Sequence, residues 1–396
     1  MTNKSEINLT PSITASRRVV IDVAKAIPSR STAIGIPVGE NGAVPKEIGV
    51  DRAKLNAAGF EGKVGQTLAI PQPDGPVVIA VGIGTPKSLD AAKLRDAAAA
   101  FARAAKKHGG LATTLTRAAG LRAQDAGQAV VEGVLLARYR YHAFKNTESD
   151  VPLAALILID DRMQEVKKGV DRGRATATAV QLARDLANAP STHMTATRMA
   201  KVAQSFANAS RLKVEVFDQK KLLEMGCGGL LGVNAGSKEP ARMIRLRYQP
   251  KGATGHLALV GKGIMYDSGG ISLKTTHAML AMKMDMSGAA AVLSAMTALN
   301  ALGCKTAVTG YMMCTDNMPS GTALRLGDVL KTRNGKTIEI RNTDAEGRLI
   351  LADGLALAAE EDPDAIVDIA TLTGACMRAL GTEMAGVMGN DQKFTD

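Results

Sequence analysis

An alternation constrains the fold of this chain more than any single residue does. Short apolar runs rich in β-branched residues recur, each followed by a longer stretch of helix formers. GPVVIAVGIG (75–84) reads as a strand, and DAAKLRDAAAAFARAAKKHGG (90–110) as a helix ended by glycines. VPLAALILIDD (151–161) is a second buried strand. Beyond residue 250 the pattern repeats, with strands at 256–263, 304–314 and 364–374 and helices near 287–302 and 349–361. Alternation of this kind predicts an α/β fold with a largely parallel sheet covered on both faces.

Between the two halves lies a helical stretch over 163–188, rich in Ala, Arg and Lys and broken by Asn188, Pro190 and Ser191. Thr195 is placed to cap a new helix at 197–207. We therefore expect a smaller N-terminal α/β domain (1–162) and a helical linker (163–190). A larger α/β/α domain with a mostly parallel sheet would follow (191–396). At 396 residues, 46% hydrophobic and 22% charged, the chain has the composition of a folded protein and not of a disordered one.

Several function classes are set aside by what the sequence lacks. Gly82-Ile83-Gly84-Thr85-Pro86-Lys87 misses the third glycine of a dinucleotide-binding turn. Lys262 is followed by Gly263, which breaks the phosphate-loop pattern. The four cysteines form no CxxC pair and the five histidines no HxH or HxxxH pair, so any metal must be held mainly by oxygen. Ser16-Arg17-Arg18 resembles a twin-arginine export signal, but Asp22 and Lys25 interrupt the segment that should be apolar. With no run long enough to span a membrane, a cytoplasmic location is expected. The net charge of +11 allows nucleic-acid contacts. Its densest cluster, however, is only Arg103, Lys106 and Lys107, and a solvated basic surface is the simpler expectation.

Three stretches carry unusual chemistry: LVGKGIMYDSGGISLK (259–274), MKMDMSGAAAVL (282–293) and NTDAEGRLILADGL (342–355). Taken singly, Asp285 is a carboxylate at a helix start and Asp267 an ordinary turn residue. Taken together, Asp267, Asp285, Asp344 and Glu346 border apolar elements of one domain, where they would repel one another unless cations neutralised them. A pair of divalent ions resolves the conflict. Read as extended chain, Asp344, Glu346 and Arg348 would share one face.

These stretches, with NMPSGTALRLGDVL (317–330), resemble the leucyl aminopeptidase (cytosol aminopeptidase) family, and NTDAEGRL matches its characteristic octapeptide. NAPSTHMTATRMA (188–200) resembles the segment that joins the family's domains. The resemblance implies a two-metal aminopeptidase releasing N-terminal, preferably leucine-like residues from peptides by attack of a metal-activated water. It implies Lys262, Asp267, Asp285, Asp344 and Glu346 as ligands of two divalent ions, Mn²⁺ or Zn²⁺, with Asp267 and Glu346 bridging. Lys274 is then the catalytic lysine, and Arg348 holds a bicarbonate near the nucleophilic water. Met282, Thr371 and Gly374 line the pocket for the first side chain. A homo-hexamer is implied as well, and for some members DNA binding. Another two-metal hydrolase, acting on phosphate esters, is the chemical rival. Thr275 departs from the proline common at that position, and the chain stops at Asp396 where family members continue. An incomplete C-terminal end is therefore expected.

Overall fold

The computed structural model describes residues 7–118, 120–145 and 151–396. In the N-terminal part, β1 (Val20–Ala24), β2 (Ala33–Val38), β3 (Thr67–Ile70), β4 (Val77–Gly82), β5 (Gly110–Thr113) and β6 (Ala155–Ile159) form one sheet. Its order is β1-β6-β5-β2-β4-β3, and only β3 runs against its neighbour. Alternate residues of β4 serve different cores. Ile79 and Val81 join helices Ala91–Ala104 and Ala123–Ala137 on one face, while Val78 and Ala80 pack with Ile36, Phe60 and Ile159 on the other. The strand expected at 75–84 is β4, and that at 151–161 is β6. The helix expected at 90–110 is capped by Asp90, whose side chain accepts from Lys93 N at 2.8 Å, but it ends at Ala104. Gly110 instead opens β5, a strand of four residues too short to leave a periodic pattern.

A 26-residue helix, Met163–Asn188, occupies the stretch read as a linker. Its first half gives Val166, Val170 and Ala177 to the N-terminal core, and its second half gives Leu182 and Leu186 to the next one. Leu9 and Ile13, early in the chain, also pack in that second core, through the helix Pro11–Arg18. The cap expected of Thr195 is present: its side chain accepts from Arg198 N, and a helix spans Ala196–Phe206.

The catalytic part holds β7 (Lys213–Phe217), β8 (Arg242–Tyr248), β9 (His256–Asp267), β10 (Ala307–Asn317), a small hairpin β11 (Val329–Lys331) and β12 (Thr337–Glu339), and β13 (Ala365–Ile369). The main sheet has the order β13-β9-β10-β8-β7, with β8 alone reversed. Helix Ser287–Ala298 covers one face through Ala289, Leu293 and Met296. Helix Glu346–Ala359 covers the other through Leu349, Ile350 and Leu357. Both helices begin at the carboxyl end of β9, where open α/β sheets place their ligands.

Helix Met163–Asn188 carries one buried acid outside that region. Asp185 Oδ2 accepts from Ser12 N at 3.0 Å and Ser12 Oγ at 2.7 Å, yet burial pushes its carboxyl up to about 6. A folded-state value above the unfolded one means that the folded chain binds the proton more tightly. Stability from this group is present below about pH 4 and lost as pH rises to about 6. Asp185→Asn should remove that loss, on the order of 2 kcal/mol, because the amide oxygen can still accept from Ser12. Melting temperatures of parent and variant should converge near pH 4 and separate in favour of the variant by pH 7. Parallel curves would refute the assignment.

Candidate metal centre

The site is built from four segments that meet at the carboxyl end of β9. Lys262 and Asp267 lie on that strand, five residues apart, so regular alternation would point them to opposite faces. The register with β10 removes the conflict: Ile264 faces Thr315 but Asp267 faces Asn317. Three steps on β9 thus oppose two on β10, and the extra residue brings Asp267 round to the side of Lys262. Both side chains are almost wholly buried.

Lys262 gathers one half of the centre. Its Nζ donates to Asp285 Oδ1 at 2.9 Å and to the Thr371 carbonyl at 2.8 Å, and lies 2.9 Å from Glu346 Oε1. Thr371 Oγ1 also donates to Asp285 Oδ1 at 2.8 Å. The lysine reaches these groups by crossing Gly347, where an added Cβ would stand 2.7 Å from Lys262 Cε. Only glycine leaves that path open.

The other half centres on Lys274, whose Nζ lies 2.9 Å from Asp267 Oδ2 and 2.5 Å from Asp344 Oδ1. It is delivered by the turn Ser268-Gly269-Gly270, in which Gly270 adopts φ +65°, a left-handed conformation. One oxygen each of Asp267, Asp344 and Glu346 falls within 4.8 Å of the others. The four carboxylates and both lysines singled out in the sequence are therefore brought together.

Their local structure differs from the expectation at one point. Thr343–Ala345 is a 3-10 turn and Glu346 opens an α-helix, so strand alternation is not what aligns Asp344 with Glu346. The turn brings them together, while Arg348 lies two positions into the helix. It is exposed and makes no hydrogen bond or ion pair with a described residue. Met282 sits half-buried in a short 3-10 turn leading to Asp285, and Gly374 is exposed at the start of helix Ala375–Leu380. Residue-type reasoning passed over Asn317, Thr343 and Ser268, which bond to the segments that carry the carboxylates. Their only signal was Asn317 at the head of NMPSG. A cavity of about 810 Å³ lies at the opposite end of the sheet among Arg211, Lys213, Arg247 and His256. It shares no residue with the centre.

Electrostatics test whether cations fit here. Burial pushes the Asp285 carboxyl up to about 6 and the Glu346 carboxyl up to about 7, with Lys262 pulling both back down. Burial lowers the Lys262 ammonium, but Glu346 and Asp285 outweigh it and raise the group overall. Four carboxylates face two ammonium groups, and Glu346 Oε2 is buried with no hydrogen-bond partner. An unpartnered carboxylate oxygen in a closed, negatively charged cluster is a donor to a hard cation. The residues fit a metal, with one requirement: Lys262 must give up its proton to coordinate.

An α/β sheet with such a cluster at its carboxyl end offers the donor set of a metal site. Comparison with known proteins narrows the class. The profile of the cytosol aminopeptidase family, catalytic domain, matches residues 181–396, and that of its N-terminal domain matches residues 52–148. The chain is 43% identical to a probable cytosol aminopeptidase of Streptomyces avermitilis, over 95% of this chain and 76% of the relative. It is equally similar, over the same shares, to one of Streptomyces coelicolor. Among solved structures, the bottromycin maturation enzyme BotP superposes with a TM-score of 0.79 at 39% identity, covering 89% of this chain and 74% of that one. A complex of BotP with Mn matches equally well. The chain belongs to the cytosol aminopeptidase family, and is a metallo-aminopeptidase by that membership. It spans about three quarters of the length of the relatives named.

The path of Lys262 gives a test of local packing. Gly347→Ala should cost roughly 1–3 kcal/mol in urea unfolding, as overpacking does. Gly321→Ala, at a site with nothing within 4 Å, should be close to neutral. Equal costs at the two positions would contradict the crossing.

Proposed function

We propose that the chain is a two-metal aminopeptidase that releases N-terminal residues, preferably leucine-like, from peptides. The observation that carries this reading is the buried cluster itself, with more carboxylates than ammonium groups and Glu346 Oε2 unpartnered. Asp267, Asp285, Asp344, Glu346 and the neutral amine of Lys262 would hold the ions. When bound, a pair of divalent ions acidifies a shared water and polarises the scissile carbonyl. Mn²⁺ is the first ion to try, since a solved relative is a complex with Mn.

Other groups on this chain supply the rest. Lys274 is raised above an ordinary lysine: burial works against its charge, but Asp344 and Asp267 more than compensate. It therefore stays an ammonium, able to donate hydrogen bonds to the oxyanion that forms at the carbonyl. Thr371 orients Asp285 through its hydroxyl and Lys262 through its carbonyl. Arg348, exposed near the helix start and without a partner among the described residues, is available to a small anion such as bicarbonate that would accept a proton. Met282, Thr371 and Gly374 would flank the first side chain of the substrate. An apolar lining discriminates by only ~1–3 kcal/mol per methylene, so preference for leucine would be graded.

Hydrolysis of a leucine anilide by the purified chain with added Mn²⁺ tests the reading. Glu346→Ala should abolish turnover. Lys274→Met should lower kcat by roughly 10²–10³-fold while leaving the Mn²⁺-induced rise in melting temperature at least as large as in the parent. Faster cleavage of a phosphate ester than of the anilide would favour the rival hydrolase instead.

A further inference from the structure

The stretch beginning NMPSG has no part in the chemistry above, yet its first residue is among the most tightly held polar groups of the catalytic half. Asn317 ends β10, is 5% exposed, and lies opposite Asp267 where the register slips. Its Nδ2 donates to Asp267 Oδ1 at 2.9 Å and to the Thr343 carbonyl at 3.0 Å. Both partners are acceptors, which fixes the amide's orientation. Its backbone carbonyl accepts from Ser268 N at 3.0 Å and Ser268 Oγ at 2.8 Å.

We propose that Asn317 is a positioning residue that fixes the Asp267 carboxylate and clamps its strand to the turn carrying Asp344, so that the ligand oxygens are set before a cation arrives. This rests on the metal reading given above. Asp267 Oδ1 accepts two hydrogen bonds, from Asn317 Nδ2 and from Gly269 N at 2.8 Å, which hold the carboxylate in place. Oδ2 makes neither of these bonds and pairs with Lys274 Nζ at 2.9 Å, so it is the oxygen a cation would share with that lysine. The second bond of Nδ2 acts one residue before Asp344. There Thr343 Oγ1 donates to the Gly269 carbonyl at 2.7 Å and accepts from Ser272 N at 2.8 Å. One amide thus ties the paired ends of β9 and β10 to the turn that carries Asp344, which has no strand pairing with either. Their carboxylates repel one another, so each would swing outward if the joint were cut.

Simple packing of a buried amide would give a different result on mutation. Asn317→Ala removes the donor, and Asn317→Asp keeps the shape but turns the donor into an acceptor facing two acceptors. Asn234→Ala is the control. Asn234 also bonds β10, through Thr315 Oγ1 at 2.9 Å, but touches no carboxylate of the centre. Mn²⁺ binding to the metal-free full chain and variants is measured by titration calorimetry, with folding checked by circular dichroism. Asn317→Ala should bind Mn²⁺ at least tenfold more weakly, equivalent to about 1.4 kcal/mol. Asn317→Asp should bind no better, and Asn234→Ala should keep the parent affinity while melting earlier. If Asn317→Asp does not fold, Asn317→Ala and the control decide alone. Parent-like affinity in Asn317→Ala, or equal weakening in Asn234→Ala, would overturn the role of Asn317 while leaving the metal site standing. No binding by the parent would overturn both.

Discussion

Buried negative charge is the constraint around which the catalytic half is organised. An ion of carboxylate size loses on the order of 20 kcal/mol of idealised solvation when moved into a dry interior, and even the relaxed cost is several kcal/mol. Asp267, Asp285 and Glu346 are nonetheless almost closed to water. Lys262 and Lys274 offset part of this, each shared between two carboxylates. The remainder is chemical potential for a cation. The same charge that would destabilise an empty core favours a cation once the geometry is held.

Holding that geometry falls to the ends of regular elements. Asp285 precedes helix Ser287–Ala298, and Glu346 is the first residue of helix Glu346–Ala359. Backbone N–H groups at a helix start favour nearby carboxylates, so two of the four acids sit where the helix field helps to keep them ionised. Both helices are anchored by apolar faces on opposite sides of one sheet, and the strand between them delivers Lys262 and Asp267. A rigid sheet therefore sets the separation of groups that electrostatics alone would push apart.

Helix Met163–Asn188 links the N-terminal half to this centre. Met163–Asn188 belongs to both cores, and its last carbonyl, Asn188 O, accepts from Lys283 Nζ at 2.7 Å. Lys283 stands between Met282 and Asp285, in the turn that leads to the site. The stretch that reads in the sequence as a joining segment is also a support for one of the carboxylates.

The sequence by itself determined the α/β class, the joining helix at 163–188, five of the strands, and the four carboxylates that border apolar elements, while the roles of the two lysines came with the family resemblance. Those features are local: apolar runs, helix formers and caps act over a few residues, and charges bordering apolar runs cannot be left without partners. The tertiary structure decided how the charges meet. Alternation on β9 would have separated Lys262 from Asp267, and it took an extra residue opposite β10 to unite them. An extended reading of 344–348 placed Arg348 beside Glu346, whereas the turn and helix observed there send it to the surface. Asn317 bonds to Asp267 across 50 residues and to Thr343 across 26. Such contacts follow from strand register and chain crossing, which depend on the whole sheet and leave no periodicity in the segments that make them.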